Sequence, residues 1–204
     1  MRISYGAVVC LGVLVAGVVP AGVSGQSGAR NAEWRTYGGD LGSTRYAPLD
    51  QIDRTNFKSL EVAWRFKTDN LGPGLEFNLQ STPLMVNGVL YSTAGTRRTV
   101  VALDAGTGEL LWFYKIDEGK RGAAAPRLLS GRGLAYWSDG TEERIVYVTP
   151  GYQMIALNAK TGRPVPGFGK NGVVDLKFEA DQDMDLTTGE MGLHGTSSDP
   201  LYGG

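Results

Sequence analysis

The sequence predicts an all-β protein built from repeated short-stranded sheets, an incomplete β-propeller. Three observations carry that expectation. Val100 to Trp112 reads V-V-A-L-D-A-G-T-G-E-L-L-W, two short apolar strands around a turn in which Asp104 bonds its own backbone and glycines supply positive φ. The element recurs 54 residues later as I-A-L-N-A-K-T-G from Ile155 to Gly162, and a fainter copy, L-E-V-A-W-R-F, ends its aromatic at Trp64, 48 before Trp112. Thirty Gly and nine Pro suit turn-rich β architecture rather than helices. Repeats of this length made of short strands are sheets that bury both faces only when neighbours stack on them.

Taken in order, Arg2, the apolar run Ala7 to Val19 and the small residues through Ser24-Gly25 have the layout of a cleavable secretory signal over residues 1–25. The run is shorter than the roughly 20 residues of a spanning helix, so a periplasmic or secreted location with no stable membrane span is expected. The single cysteine, Cys10, lies inside that segment, which leaves residues 26–204 without disulfide or thiol-metal chemistry. A formal charge of −1 with scattered Lys and Arg excludes an electrostatic case for nucleic acid.

Trp34 to Leu49 is aromatic and turn-rich, an edge or closing segment. Asp53 is placed to cap one helical turn, and Leu60 to Phe66 alternates as a strand. Leu84 to Val86 and Val89 to Tyr91 flank Asn87-Gly88, a strong hairpin turn. Asp117 to Pro126 reads as a loop, Leu134 to Trp137 and Ile145 to Thr149 as strands, and Val173 to Leu193 as an acidic insertion. In the second hairpin copy Pro166 answers Trp112, so the aromatic is missing there. Two and a fraction sheets do not close a ring, and the expectation is the front portion of a longer protein, roughly blades 1–3, or a truncated gene product.

Local motifs for chemistry are weak. Asp181, Asp183 and Asp185 are spaced like the start of a calcium loop, but Leu186 and Gly192 stand where Gly and Glu are needed. Gly169-Lys170 lacks the Ser or Thr and the first Gly of a phosphate loop. His194 is the only histidine and has no companions for a metal site or a nucleophilic triad.

R-G-L-A-Y-W (Arg132 to Trp137), the repeated A-L-D-A-x-T-G-x-x-x-W, the opening W-R-T-Y-G-G-D-L-G-S-T-R-Y-A-P-L and the phrase N-L-Q-S-T-P-L are different. Together they make the chain, from about Glu33 to its end, resemble the N-terminal part of the pyrroloquinoline quinone (PQQ) dependent alcohol and sugar dehydrogenases. The resemblance implies an eight-bladed propeller holding PQQ near its axis beside a calcium ion (Ca2+). PQQ carries three carboxylates and an ortho-quinone, so its binding calls for an Arg and hydroxyl or amide donors.

Arg132 matches the family's arginine at the quinone oxygens. Gln80, three residues before Pro83, and Ser197, three before Pro200, match inner-strand starts that contact the cofactor, with Thr196 the alternative to Ser197. Turn capping is the competing role for Gln80 and Ser197. Pro126 and Arg127 stand where some members carry a disulfide-bonded Cys pair over the cofactor. The family's calcium ligands and catalytic aspartate fall beyond Gly204, so no catalytic residue is assigned and the chain alone is expected to be inactive. The implied activity is hydride transfer from an alcohol or sugar hydroxyl to the quinone, with a cytochrome or membrane quinone as electron acceptor. The alternative is a non-catalytic propeller of the same repeats acting as a periplasmic binding or assembly scaffold.

Overall fold

A computed structural model describes residues 28–29, 33–72, 74, 80–125 and 133–177. They form two four-stranded antiparallel sheets, each wound in sequence order. The first holds β1 (Leu84–Val86), β2 (Val89–Ala94), β3 (Thr99–Asp104) and β4 (Leu110–Tyr114). The second holds β5 (Ala135–Ser138), β6 (Glu143–Val148), β7 (Gln153–Asn158) and β8 (Val173–Asp175), and a short helix between the sheets, α1, spans Gly119–Ala123.

Period-two alternation explains how one strand serves two cores. Along β3, Val100 and Ala102 join the cluster shared with the second sheet, whereas Val101 and Leu103 join a smaller cluster with Leu71 and Ala94 on the opposite face. The shared core is completed by Leu84, Val86 and Tyr91 from the first sheet and by Leu134, Ile145, Tyr147, Ile155 and Leu157 from the second. Leu84, Val100, Ile145, Ile155 and Leu157 are fully enclosed, and each such side chain contributes about 1.5–3 kcal/mol through apolar burial.

The two expected hairpin turns are built alike. Asp104 Oδ1 accepts the backbone N–H of Gly106 and Thr107 and the Thr107 hydroxyl at 2.8–3.0 Å. Asn158 Oδ1 accepts the N–H of Lys160 and Thr161 and the Thr161 hydroxyl at 3.0–3.2 Å. Gly108 and Gly162 follow at φ +73° and +66°. Asn87-Gly88 forms the β1–β2 turn with both residues at positive φ.

Three local expectations need correction. Leu60 to Phe66 joins no strand ladder among the described residues, and Leu60 and Val62 are exposed. Asp53 caps one helical turn as expected: its Oδ1 accepts the N–H of Thr55 and Asn56 and its carbonyl accepts the Phe57 N–H at 2.9 Å, and the 3-10 turn Phe57–Ser59 follows. The loop from Asp117 contains α1. Val173 begins β8, the fourth strand of the second sheet, pairing with Ile155, where an insertion was expected; the rest of that stretch, from residue 178, lies outside the described residues. β8 is hard to read locally because a detour intervenes: Val165 N–H donates to Ala156 O, and after the turn through Gly172 the Ala156 N–H donates to Gly172 O.

Candidate functional site

Strand directions divide the structure into two ends. The starts of β1 and β5, the β2–β3 and β6–β7 turns and the chain from Lys115 to Ala125 lie at one end; the turns at Asn87, Asp104, Asp139 and Asn158 lie at the other. Gln80, exposed and four residues before β1, is at the first end. Arg132, Thr196 and Ser197 lie outside the described residues, as do Asp181, Asp183, Asp185 and His194. Sequence order puts Arg132 three residues before β5, the position in the second sheet that corresponds to the stretch before β1.

A polar cluster at this end went unseen in the sequence. Arg121, on α1 and only 8% exposed, makes a two-bond fork to Asp175, NH1 to Oδ2 at 2.6 Å and NH2 to Oδ1 at 2.5 Å. Its Nε donates to Gly151 O at 2.6 Å. Glu118 accepts the Thr149 hydroxyl at 2.6 Å and the Gly151 N–H at 2.8 Å, and the Thr149 hydroxyl oxygen accepts the Gln153 N–H. The Asp175 carboxylate holds the Arg121 guanidinium more firmly protonated than usual. Lys177, with its amine 5.4 Å from the Tyr152 ring centre, has its pKa lowered by burial and then by Arg121. Nothing in a Gly- and Ala-rich stretch marks Arg121 as buried, and its partner is 54 residues away.

Beneath this cluster, Tyr147 packs edge-on to Tyr114 at 6.4 Å, and its hydroxyl is buried with no hydrogen-bond partner among the described residues. Burial, the largest cause, drives its pKa upward. At the opposite end a cavity of about 320 Å³ opens between the sheets, walled by Val86, Tyr91, Trp112, Tyr136 and Glu143. Glu143 there accepts the Asn87 amide and the Tyr136 hydroxyl, each at 3.0 Å.

The sheets are joined by an aromatic lock. Trp112, on β4, donates its indole N–H to Ala159 O at 2.9 Å, and its ring lies where a Cβ on Gly162 would be, 2.5 Å from the nearest ring atom. Trp64 repeats this on the first sheet: its indole donates to Ala105 O at 3.1 Å, and its ring lies 2.5 Å from a Cβ placed on Gly108. The extended Leu60–Phe66 stretch therefore stands to the first sheet as β4 stands to the second.

Sheets wound in sequence order, linked outer strand to next inner strand and locked by tryptophan, define a stretch of β-propeller. Residues 34–202 match the glucose/ethanol/alcohol dehydrogenase β-propeller (PQQ) family, and the chain belongs to it. It is 38% identical over 146 residues to the dehydrogenase subunit of the quinone alcohol dehydrogenase of Gluconobacter oxydans, covering 70% of this chain and 18% of that protein. It is 36% identical over 157 residues to quinohemoprotein alcohol dehydrogenase ADH IIB of Pseudomonas putida, covering 76% and 21%. The crystal structure of quinohemoprotein alcohol dehydrogenase from Comamonas testosteroni superposes with a TM-score of 0.56 at 29% identity, over 77% of this chain and 21% of that one. The ADHIIG enzyme from Pseudomonas putida HK5 gives 0.57 at 30% identity, over 74% and 20%. The chain thus spans about a fifth of the length of these relatives.

Proposed function

We propose that this chain forms the leading arc, over residues 26–204, of an exported PQQ-dependent dehydrogenase that oxidises an alcohol or sugar hydroxyl. The observation that carries the reading is family membership over residues 34–202 together with the fold's ordering of the inner-strand starts at one end. Residues 1–25 serve as the export signal, and the mature protein works in the periplasm or outside the cell.

The candidate residues suit the chemistry of the cofactor. Gln80 presents a neutral amide at the inner-strand end, where a carboxylate side chain would repel a tricarboxylate ligand. Arg132, by its place before β5, supplies the fixed charge and forked donors that planar oxygens require, and Ser197 or Thr196 supplies a hydroxyl. When bound, PQQ furnishes a hydride-accepting quinone, which a calcium ion polarises. In this reading the chain's own residues bind and orient, while proton removal and calcium ligation fall to parts of the protein outside this chain. Electrons then pass to a cytochrome or a membrane quinone.

Without further blades the sheets present unpaired edges and only part of a pocket, so the 204-residue chain alone has no activity. The test is dye reduction by the full-length protein loaded with PQQ and Ca2+ and offered alcohols and sugars. Turnover with at least one of them supports the reading. Stoichiometric PQQ uptake with no turnover on any of them points instead to a non-catalytic scaffold.

A further inference from the structure

The cavity of about 320 Å³ between the two sheets lies at the end away from the starts of β1 and β5, and its walls come from both sheets. Tyr91 and Trp112 of the first sheet, with ring centres 5.9 Å apart and planes tilted by 45°, face into it together with Tyr136 of the second. The wall is therefore largely aromatic.

The polar groups of those rings are already engaged. The Trp112 indole and the Tyr91 hydroxyl both donate to Ala159 O, at 2.9 and 3.3 Å. The Asn87 amide and the Tyr136 hydroxyl both donate to a single oxygen, Glu143 Oε1, each at 3.0 Å. Glu143 is half-buried, and among the described residues nothing donates to its second carboxylate oxygen. Two cations lie nearby and neither fills that place. Arg35, 5.6 Å from the Tyr136 ring centre, is paired with Glu33 and is not part of the cavity wall, while Lys160 belongs to the wall but is solvent-exposed.

Donors spent and acceptors left over define the guest. A half-buried carboxylate oxygen gains most from a charged N–H donor, and ring faces attract a cation, whereas an anion would be repelled by Glu143 and a neutral amide would forgo the charge-assisted bond. The volume is at the small end of ligand pockets, which start at about 300 Å³. We propose that this cavity binds a small organic ammonium ion, its N–H group donating to the second oxygen of Glu143 and its charge lying against the rings of Tyr91, Trp112 and Tyr136.

The test is calorimetric titration of the full-length protein with n-butylammonium, butyramide and butyrate, three probes of similar size and different charge. The expected result is a dissociation constant of about 1 mM for n-butylammonium, with the neutral and anionic probes weaker by at least about tenfold. Glu143→Gln keeps an acceptor for Asn87 and Tyr136 and puts an amide donor where the second oxygen was. It is expected to weaken n-butylammonium by at least about tenfold without lowering the melting temperature. Should that variant not fold, Lys160→Glu at the exposed mouth decides: removing one positive charge and adding a negative one is expected to tighten n-butylammonium binding by about threefold, more at low salt. No binding by wild type, no preference for the cation, equal affinity in Glu143→Gln, or affinity indifferent to Lys160→Glu each overturns the proposal. None of these readouts depends on uptake of PQQ.

Discussion

The Trp112 indole donates to the carbonyl of Ala159, 47 residues further on, and its ring rests on Gly162, so one hydrogen bond and one missing side chain join the outer strand of the first sheet to the turn that follows β7 in the second. Tyr91 completes the joint. Its ring lies 5.9 Å from the indole, and its hydroxyl also donates to Ala159 O, at 3.3 Å.

Trp112→Ala is expected to lower stability by about 3 kcal/mol or more, the cost of emptying an aromatic seat in a packed interface. Gly162→Ala is expected to fail on two counts, a φ of +66° and a Cβ 2.5 Å from the indole. Urea unfolding of the two variants checks both, and a midpoint unchanged in either would show that the indole does not lock the sheets.

The Asp104 turn carries a pH signature. Hydrogen bonds from Thr107, backbone first and hydroxyl second, hold the Asp104 carboxyl below its ordinary value of 3.8. A depressed folded-state pKa means the contribution is fully present above the unfolded value and fades as pH falls through the folded one. The stability difference between wild type and Asp104→Asn is therefore expected to be flat from pH 7 to about 5 and to shift against wild type below about pH 4. The turn itself survives the substitution, because Asn158 makes the same bonds in the second copy. An acid-independent difference between the two proteins would contradict this assignment.

Gly151→Ala isolates the polar cluster. A Cβ there would lie 2.5 Å from Glu118 Oε1 and 3.0 Å from Arg121 Cγ, with no positive φ to confuse the result. A loss of about 1–3 kcal/mol is expected from displaced buried hydrogen-bonding groups. In Glu118→Ala the closest obstruction is gone, and the added cost of Gly151→Ala should shrink; a cost that stays the same would place the clash elsewhere.

Tyr147→Phe removes a buried hydroxyl that has no partner among the described residues. The variant is expected to be as stable as wild type or more stable by up to about 1 kcal/mol, since an unsatisfied polar group is lost while the ring contact with Tyr114 is kept. A loss above about 1 kcal/mol in thermal unfolding would mean the hydroxyl has a partner.

The local elements were legible where a side chain speaks for its own backbone. Asp104, Asn158, Asn87 and the glycines after them announce their turns by chemistry confined to four or five residues. The Trp64 and Trp112 spacing revealed the repeat, although that the tryptophan reaches forward to the next sheet requires contacts 41 and 47 residues apart. Pro166 was matched to Trp112 by counting. The register instead puts Gly172 there, since Val173 opposes Ile155 as Phe113 opposes Val101. The detour between Pro164 and Gly172 breaks the count, and the same break disguised β8. Arg121 was illegible because its burial comes from Asp175 and Gly151, neither of which its own neighbourhood mentions. Of the four candidate cofactor contacts, Gln80 is among the described residues, at the end of the first sheet where β1 starts, and Arg132, Thr196 and Ser197 lie outside them.

The most direct measurement is equilibrium uptake of PQQ by the full-length apoprotein with Ca2+ present, compared between wild type and Arg132→Ala. The account expects about one quinone per polypeptide for wild type and affinity weaker by at least about tenfold for the variant, the scale of a lost charge-assisted fork. No uptake by wild type, or equal affinity in the two, would contradict it.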